Sequence, residues 1–435
     1  MKKIKFYFTI KLAELYWWLV SHPKLYTIAL LMKYRNKSCL NLVKVNGEKA
    51  GFNVKIKRKN NPDERLMCLR VTTFERYSAA HSDSIYKVLE EPTIRQVYIP
   101  AYYQISKSQT CDYTSPAIYI AEIGNVKIVG GNSYIIKDNK MIYDIASEKR
   151  TTIGLVGPTM RGMNGGLVTA VVIDSNNVID TGIFMMGLAS SNYYHVTIEI
   201  LSRLAYVDQF EKYRKLPLIV DEVMLSVKQY HALLDKINVY HHPIITVTDR
   251  TIYRVNYLVF PSYNTWMPIN TKKNILCPEY FAIASSAIQN IRACINPKIP
   301  EILQRKIYIS RKNMKNARLV NESETRELFE KYGFETIFPE EHSFEEQVKI
   351  FSEAKYVAGT SGAALTNLVY CSPGATVICI LPKEIEFYSF STVAGMVGTQ
   401  NVYLNAEIME KTRYISTCSY KLNMHYAEEF LKQLN

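Results

Sequence analysis

The sequence predicts an α/β protein of two domains, the second of them Rossmann-like, preceded by a basic amphipathic helical leader. Three observations lead there. The chain has 435 residues, more than one ordinary core accommodates. Strand-length apolar runs alternate with amphipathic helical stretches, most regularly after residue 300, the pattern of a parallel sheet with crossover helices. The charge is one-sided: residues 1–60 hold fourteen Lys or Arg against Glu14 and Glu48, while the whole chain is only +13.

The leader spans 1–65. Its first part reads KFYFTIKLAELYWWLV and then LYTIALLMKYRNK, with Trp17 and Trp18 among cationic residues. Lys11, Glu14 and Pro23 interrupt the apolar run, which is therefore too short to cross a bilayer. No signal-peptide core with a small-residue cleavage site is evident. Cations interleaved with Trp, Tyr and Phe suit an anionic membrane surface, reached through residues 1–45; the plainer alternative is a helical cap on the first domain. The body that follows is close to neutral, which argues against a nucleic-acid partner. The eight cysteines are scattered with no CxxC pair, as expected of reduced thiols in the cytoplasm rather than of disulfides or a zinc site.

In the first domain, 66–270, strands are expected at NVKIVGG, SYIIKD, KMIYDI and LVTAVVID. A long amphipathic helix is expected over 191–215, then the strand PLIVD, a helix over 224–237, and the strands PIITVTD and RVNYLVFPS, together a largely parallel sheet. Polar residues and a proline over 265–277 mark the boundary. The second domain, 271–420, begins its pattern with the strand KIYIS. Asn321 with Glu324 three positions on has capping-box spacing, and Gly333 closes that helix. FETIFP is the next strand, and Ser343 with Glu346 caps the next helix. KYVAG, GAALTNLVYC and ATVICILP complete a β-α-β-α-β-α-β series. The tail, 421–435, is a terminal helix packing back on the first domain.

Two groups of residues carry chemistry. Gly359-Thr360-Ser361-Gly362-Ala363-Ala364 lies where a strand hands over to a helix. Free amide N–H groups and a positive helix end favour a phosphate there, and absent side chains let it approach; tight strand–helix packing is the competing explanation. Arg311, directly after KIYIS, stands at the same end of the sheet and can clamp a diphosphate. Neither GxGxxG nor GxxxxGK[ST] occurs. In the first domain, His195, Glu199 and Arg203 recur at i, i+4 and i+8, one polar stripe on a helix. Its His or its carboxylate can take a proton from a hydroxyl; a plain Glu199–Arg203 surface pair is the alternative.

NYYHVTIEILSRL (192–204), KIYISRKNMKNARLVNE (306–322) and the block 343–380 resemble glycosyltransferase family 61, over roughly residues 125–400. The resemblance implies a GT-B architecture, two Rossmann-like domains facing a cleft. It implies inverting transfer from a nucleotide-sugar donor, commonly a UDP-sugar, without cofactor or essential metal, and no Asp-x-Asp occurs. Many members have His where this chain has Ser361, and Val196 replaces a common aromatic. Carried onto this chain, the likeness assigns Arg311, Thr360, Ser361, Gly362, Ala363, Asn321 and Asn367 to the donor, and Asn192 and Arg203 to the acceptor. His195 and Glu199 are the candidate bases; spacing does not decide between them, and Glu199 is slightly favoured. The acceptor is expected to be a capsular or other cell-surface glycan, free or lipid-linked, at the inner face of a bacterial cytoplasmic membrane. The rival readings are another GT-B-like surface-polymer transferase and a non-catalytic membrane-bound scaffold with a degenerate sugar-nucleotide pocket.

Overall fold

The computed structural model describes residues 52–55, 63–144, 159–164, 167–266, 278–313, 317–410 and 417–434. The membrane-surface segment 1–45 and the boundary over 267–277 lie outside the described residues.

The second half matches its sequence pattern closely and adds to it. Its strands are Arg305–Ile309, Glu335–Ile337, Ala354–Thr360, Thr376–Ile380 and Gln400–Leu404, all parallel. The last, which the sequence reading did not pick out, makes the sheet 5-stranded, and in chain numbering its order is 2-1-3-4-5. The order reverses between Arg305–Ile309 and Ala354–Thr360, and a doubly wound sheet opens its ligand crevice beyond the carboxyl ends of such a pair. Two of the three local signals hold, while the capping box expected at Asn321 and Glu324 does not form, Asn321 making no side-chain cap. Ser343 and Glu346 form a complete capping box, and Gly333 sits at φ +80°, a conformation in which a β-carbon is strained.

The first half departs from a largely parallel sheet. Its sheet is 12-stranded and mixed. Val178–Phe184, Leu218–Asp221, Ile244–Val247 and Ile252–Pro261 run parallel, as does the short pairing of Glu64–Thr72 with Lys140–Ile142; the long strand Ile118–Val129 pairs antiparallel with Ile252–Pro261. Val178–Phe184, central to the parallel portion, was not read from the sequence, because Asp180, Thr181 and Gly182 interrupt its apolar run. The strand Phe52–Lys55, within the span assigned to the leader, pairs with Glu64–Thr72. The helix expected over 224–237 is two, Val223–Ser226 and Lys228–Ile237, divided at Val227, whose backbone is extended.

The expected helix over 191–215 is the larger correction. It is a π-helical turn at His195–Ile200, a 3-10 turn at Leu201–Arg203, an α-helical turn at Leu204–Asp208 and a further 3-10 turn at Glu211–Tyr213. The wider π turn, with its i to i+5 hydrogen bonds, changes the phase of every later side chain, and Arg203 swings off the polar stripe into the interior.

The halves share one apolar core. Ile183, Leu218 and Val259 belong to the same buried cluster as Ile307, Val357 and Ile378. Tyr103 N–H donates to the Tyr403 carbonyl at 2.9 Å and Tyr403 N–H to the Ala101 carbonyl at 2.8 Å, so first-half backbone extends the second sheet. The terminal helix Met424–Lys432 reaches the same segment, through the Tyr426 hydroxyl on the Tyr103 carbonyl at 2.8 Å.

Candidate active site between two sheet ends

The second-half wall is built from the end of Arg305–Ile309. Buried Glu322 accepts hydrogen bonds from the Tyr308 hydroxyl (2.9 Å), the Ser310 hydroxyl (2.9 Å) and the Arg311 amide (3.3 Å). That carboxylate fixes the turn, and Arg311 reaches across to the neighbouring strand, where its Nη1 donates to the Ser361 carbonyl at 3.0 Å. Arg318 Nη2 donates to the same oxygen at 2.6 Å. Burial, and then the Arg318 charge, lower the Arg311 pKa, although a guanidinium remains charged throughout the working range. Two guanidinium groups thus converge on one neutral carbonyl, an arrangement of charged donors that suits an anion.

The adjoining turn completes this wall. The amides of Gly362 and Ala363 precede the first backbone hydrogen bond of the 3-10 helix Ala363–Tyr370, from Leu365 N–H to the Gly362 carbonyl at 2.9 Å. They join the two guanidinium groups as donors at a helix N-terminus. The Arg311 guanidinium occupies the space that Gly362 leaves open: a β-carbon there would stand 2.2 Å from Arg311 Nη1.

Facing this wall across a cavity of about 630 Å³ are Asn192, Tyr194 and His195. Asn192 Oδ1 accepts from the Tyr194 amide at 2.9 Å and shapes the approach to the π turn. His195 Nδ1 lies 2.6 Å from Glu199 Oε2. A carboxylate in that place makes Nδ1 the protonated nitrogen of the neutral ring, and Nε2 has no hydrogen-bond partner among the described residues. Burial pulls the His195 pKa down, but the charge and hydrogen bond of Glu199 together outweigh it, and the net shift is upward. His195 also lines a second, inner cavity of about 260 Å³, which Glu199 lines as well. That cavity lies beyond the ends of Val178–Phe184 and Ile252–Pro261, the pair where the parallel strands of the first sheet reverse order. One histidine thus stands between two sheet-end crevices.

Of the residues singled out in the sequence, Arg311, Ser361, Gly362, Ala363, Asn192 and His195 meet in the outer cavity. Glu199 sits behind His195. Four others lie elsewhere. Thr360 is buried in the strand beneath the turn. Asn321 spends both amide atoms on Leu422, donating to its carbonyl at 2.9 Å and accepting from its N–H at 3.1 Å, and makes no side-chain cap. Asn367 is buried and donates to Gln347 Oε1 at 2.8 Å. Arg203 is 0% exposed and donates to the carbonyls of Ile200, Pro261 and Met186; it ties two strand ends together and forms no surface pair with Glu199. Sequence reasoning missed Arg318, although it lies in the block 306–322. Nothing local to a loop arginine tells where its side chain goes.

The family model described as Glycosyltransferase 61 matches residues 193–378, a span that contributes to both walls of the outer cavity. Residues 193–378 form a glycosyltransferase family 61 region. The match supports a glycosyltransferase, an enzyme whose chemistry is the transfer of a sugar. No curated protein sequence matches the chain. Among solved structures it is similar, at 7% identity, to a dodecameric iron-containing heptosyltransferase, TibC, crystallised with ADP-D-β-D-heptose. That likeness covers 79% of this chain and 86% of the other at a TM-score of 0.24, too slight to bear on fold or function.

Proposed function

We propose that this family 61 glycosyltransferase is an inverting enzyme of GT-B architecture that moves a sugar from a nucleotide-sugar, a UDP-sugar in the first instance, to an acceptor hydroxyl. The observation that carries the reading is His195, which lines both sheet-end cavities with its Nδ1 held by Glu199. The donor diphosphate lies against Arg311, Arg318 and the amides of Gly362 and Ala363. His195 Nε2 takes the proton of the acceptor hydroxyl, whose oxygen attacks the anomeric carbon as the bond to the diphosphate breaks. Glu199 orients the ring and stabilises the imidazolium that forms, so His195 replaces Glu199 as the favoured base. The two guanidinium groups balance the charge that grows on the leaving group, and this is the basis for reading the reaction as metal-independent.

Thermal unfolding of the full chain with UDP, GDP, CMP and NAD, each with and without chelator, tests the donor half. A chelator-resistant rise in melting temperature with UDP, lost in Arg318→Ala, is expected. A shift with GDP or CMP alone changes the donor; release of no UDP from UDP-sugars in the presence of acceptor glycans favours the scaffold. The anomeric configuration of the product, read by NMR, tests inversion.

A capsular or cell-surface glycan acceptor, lipid-linked at the inner face of a bacterial cytoplasmic membrane, is proposed on the composition of residues 1–45 and the family likeness. A variant lacking residues 2–45 that still pellets with anionic liposomes as the full chain does refutes the membrane part.

A further inference from the structure

The inner cavity behind His195 has walls that are mostly apolar, among them Met186, Leu188, Tyr194, Phe281 and Phe387. Several of its polar groups are already engaged. The Arg203 guanidinium donates to three backbone carbonyls, and the Ser133 hydroxyl accepts from the Leu188 amide at 2.6 Å. Among its other polar atoms, His195 Nε2, Glu199 Oε1 and the Tyr263 hydroxyl have no hydrogen-bond partner among the described residues. The Tyr263 hydroxyl differs in kind from the others. Its residue is only 6% exposed, and its oxygen is buried without a hydrogen bond of full geometry, although the Ser133 hydroxyl is near enough to interact with it. A buried phenol in that state is costly unless something fills it. Its ring cannot turn away, being set edge-on to Phe260 at 5.8 Å and against the Arg203 guanidinium at 5.4 Å.

The volume, about 260 Å³, falls just below the roughly 300–1,000 Å³ of sites that take larger ligands. A few polar atoms on aromatic and aliphatic walls match one sugar ring, whose hydroxyls radiate in its plane while its faces are apolar. We propose that this cavity is the acceptor subsite, that it admits a single terminal sugar ring, and that Tyr263 is its specificity residue, bonding a hydroxyl other than the one that reacts. The proposal rests on the reading of His195 as the base, since that is what makes the inner side the acceptor's. It also means that the enzyme recognises a chain end, the remainder of the acceptor leaving through the outer cavity.

The test is saturation-transfer NMR on the full chain with methyl β-glucoside, methyl β-galactoside and methyl β-xyloside, with UDP affinity measured separately by calorimetry. Tyr263→Phe removes only the hydroxyl, and Leu188→Trp fills the cavity from a partly exposed position; thermal unfolding checks that both fold. At least one glycoside is expected to bind, about three- to tenfold more weakly in Tyr263→Phe, as for the loss of one neutral hydrogen bond. It should not bind Leu188→Trp, and UDP affinity should be unchanged in both variants. Three results overturn the proposal: no glycoside bound by the wild type, glycoside binding indifferent to both substitutions, or UDP affinity falling with them, which would put the donor's end in this cavity. Glycoside binding that follows the expected pattern without any UDP binding upholds the subsite while refuting the donor assignment.

Discussion

Gly362→Ala adds one methyl group and removes no polar atom, yet it should disable the donor site. Gly362 has φ 176°, extended backbone that alanine adopts without strain. Its new β-carbon would lie 2.2 Å from Arg311 Nη1, 2.8 Å from Cζ and 3.2 Å from Nε. All three belong to the far end of a flexible side chain, so the guanidinium gives way and the backbone stays. The hydrogen bond from Arg311 to the Ser361 carbonyl, 3.0 Å long, is lost with the displacement. Folding stability should change by no more than about 1–2 kcal/mol, because loss of that bond is partly offset by the smaller freedom of alanine in the unfolded chain. Donor binding should suffer more. A hydrogen bond to a charged group contributes about 1.5–3 kcal/mol, which corresponds to roughly a ten- to hundredfold weaker dissociation constant. Calorimetric titration with UDP measures it, and the double variant with Arg311→Ala supplies the control. Since the methyl group has already displaced the guanidinium, the two losses should not add. UDP affinity that is unchanged in Gly362→Ala, or fully additive losses in the double variant, would refute the placing of the diphosphate against Arg311.

Further outcomes follow from the same geometry. His195→Ala should lower kcat about 10²–10⁴-fold, as for loss of a general base. Glu199→Gln should cost less and move the acidic limb of the kcat/KM profile to lower pH, because Glu199 supplies what raises the His195 pKa and burial alone would lower it; a limb that stays put speaks against His195 as the base. His242, with Nδ1 on the Leu216 carbonyl (2.8 Å) and Nε2 on Asp208 (2.9 Å), has its pKa lowered by burial but raised on balance by those partners. Its contribution to stability is present below the unfolded value of 6.5 and is lost as pH rises through the higher folded value. Denaturant titrations of wild type and His242→Leu should therefore converge as pH rises from 6 to 8. Asn321→Ala should cost about 1–3 kcal/mol by leaving the Leu422 backbone unpaired, with UDP affinity unchanged; a selective loss of UDP binding would restore Asn321 to the donor site.

The sequence alone determined features that arise within a few residues. The strand and helix periods after residue 300, the Ser343–Glu346 capping box and the left-handed Gly333 depend on local sterics and local hydrogen bonds, and they stand as read. Arg311 and the small-residue turn were legible for a related reason. Each directly follows a strand, and in a parallel sheet the ends of neighbouring strands lie side by side. What depends on contacts distant along the chain became visible only in the tertiary structure. Arg318 finds the Ser361 carbonyl 43 residues away, and Asn321 finds Leu422 at a separation of 101; a loop or cap residue carries no mark of such a partner. The π turn at His195–Ile200 was equally hidden, since periodicity assumes a regular helix. That turn buries Arg203, sets Glu199 behind His195, and leaves the imidazole between two cavities. The residue types of the site could be named from the sequence, but their division of labour depends on directions that only the packing of two sheets imposes.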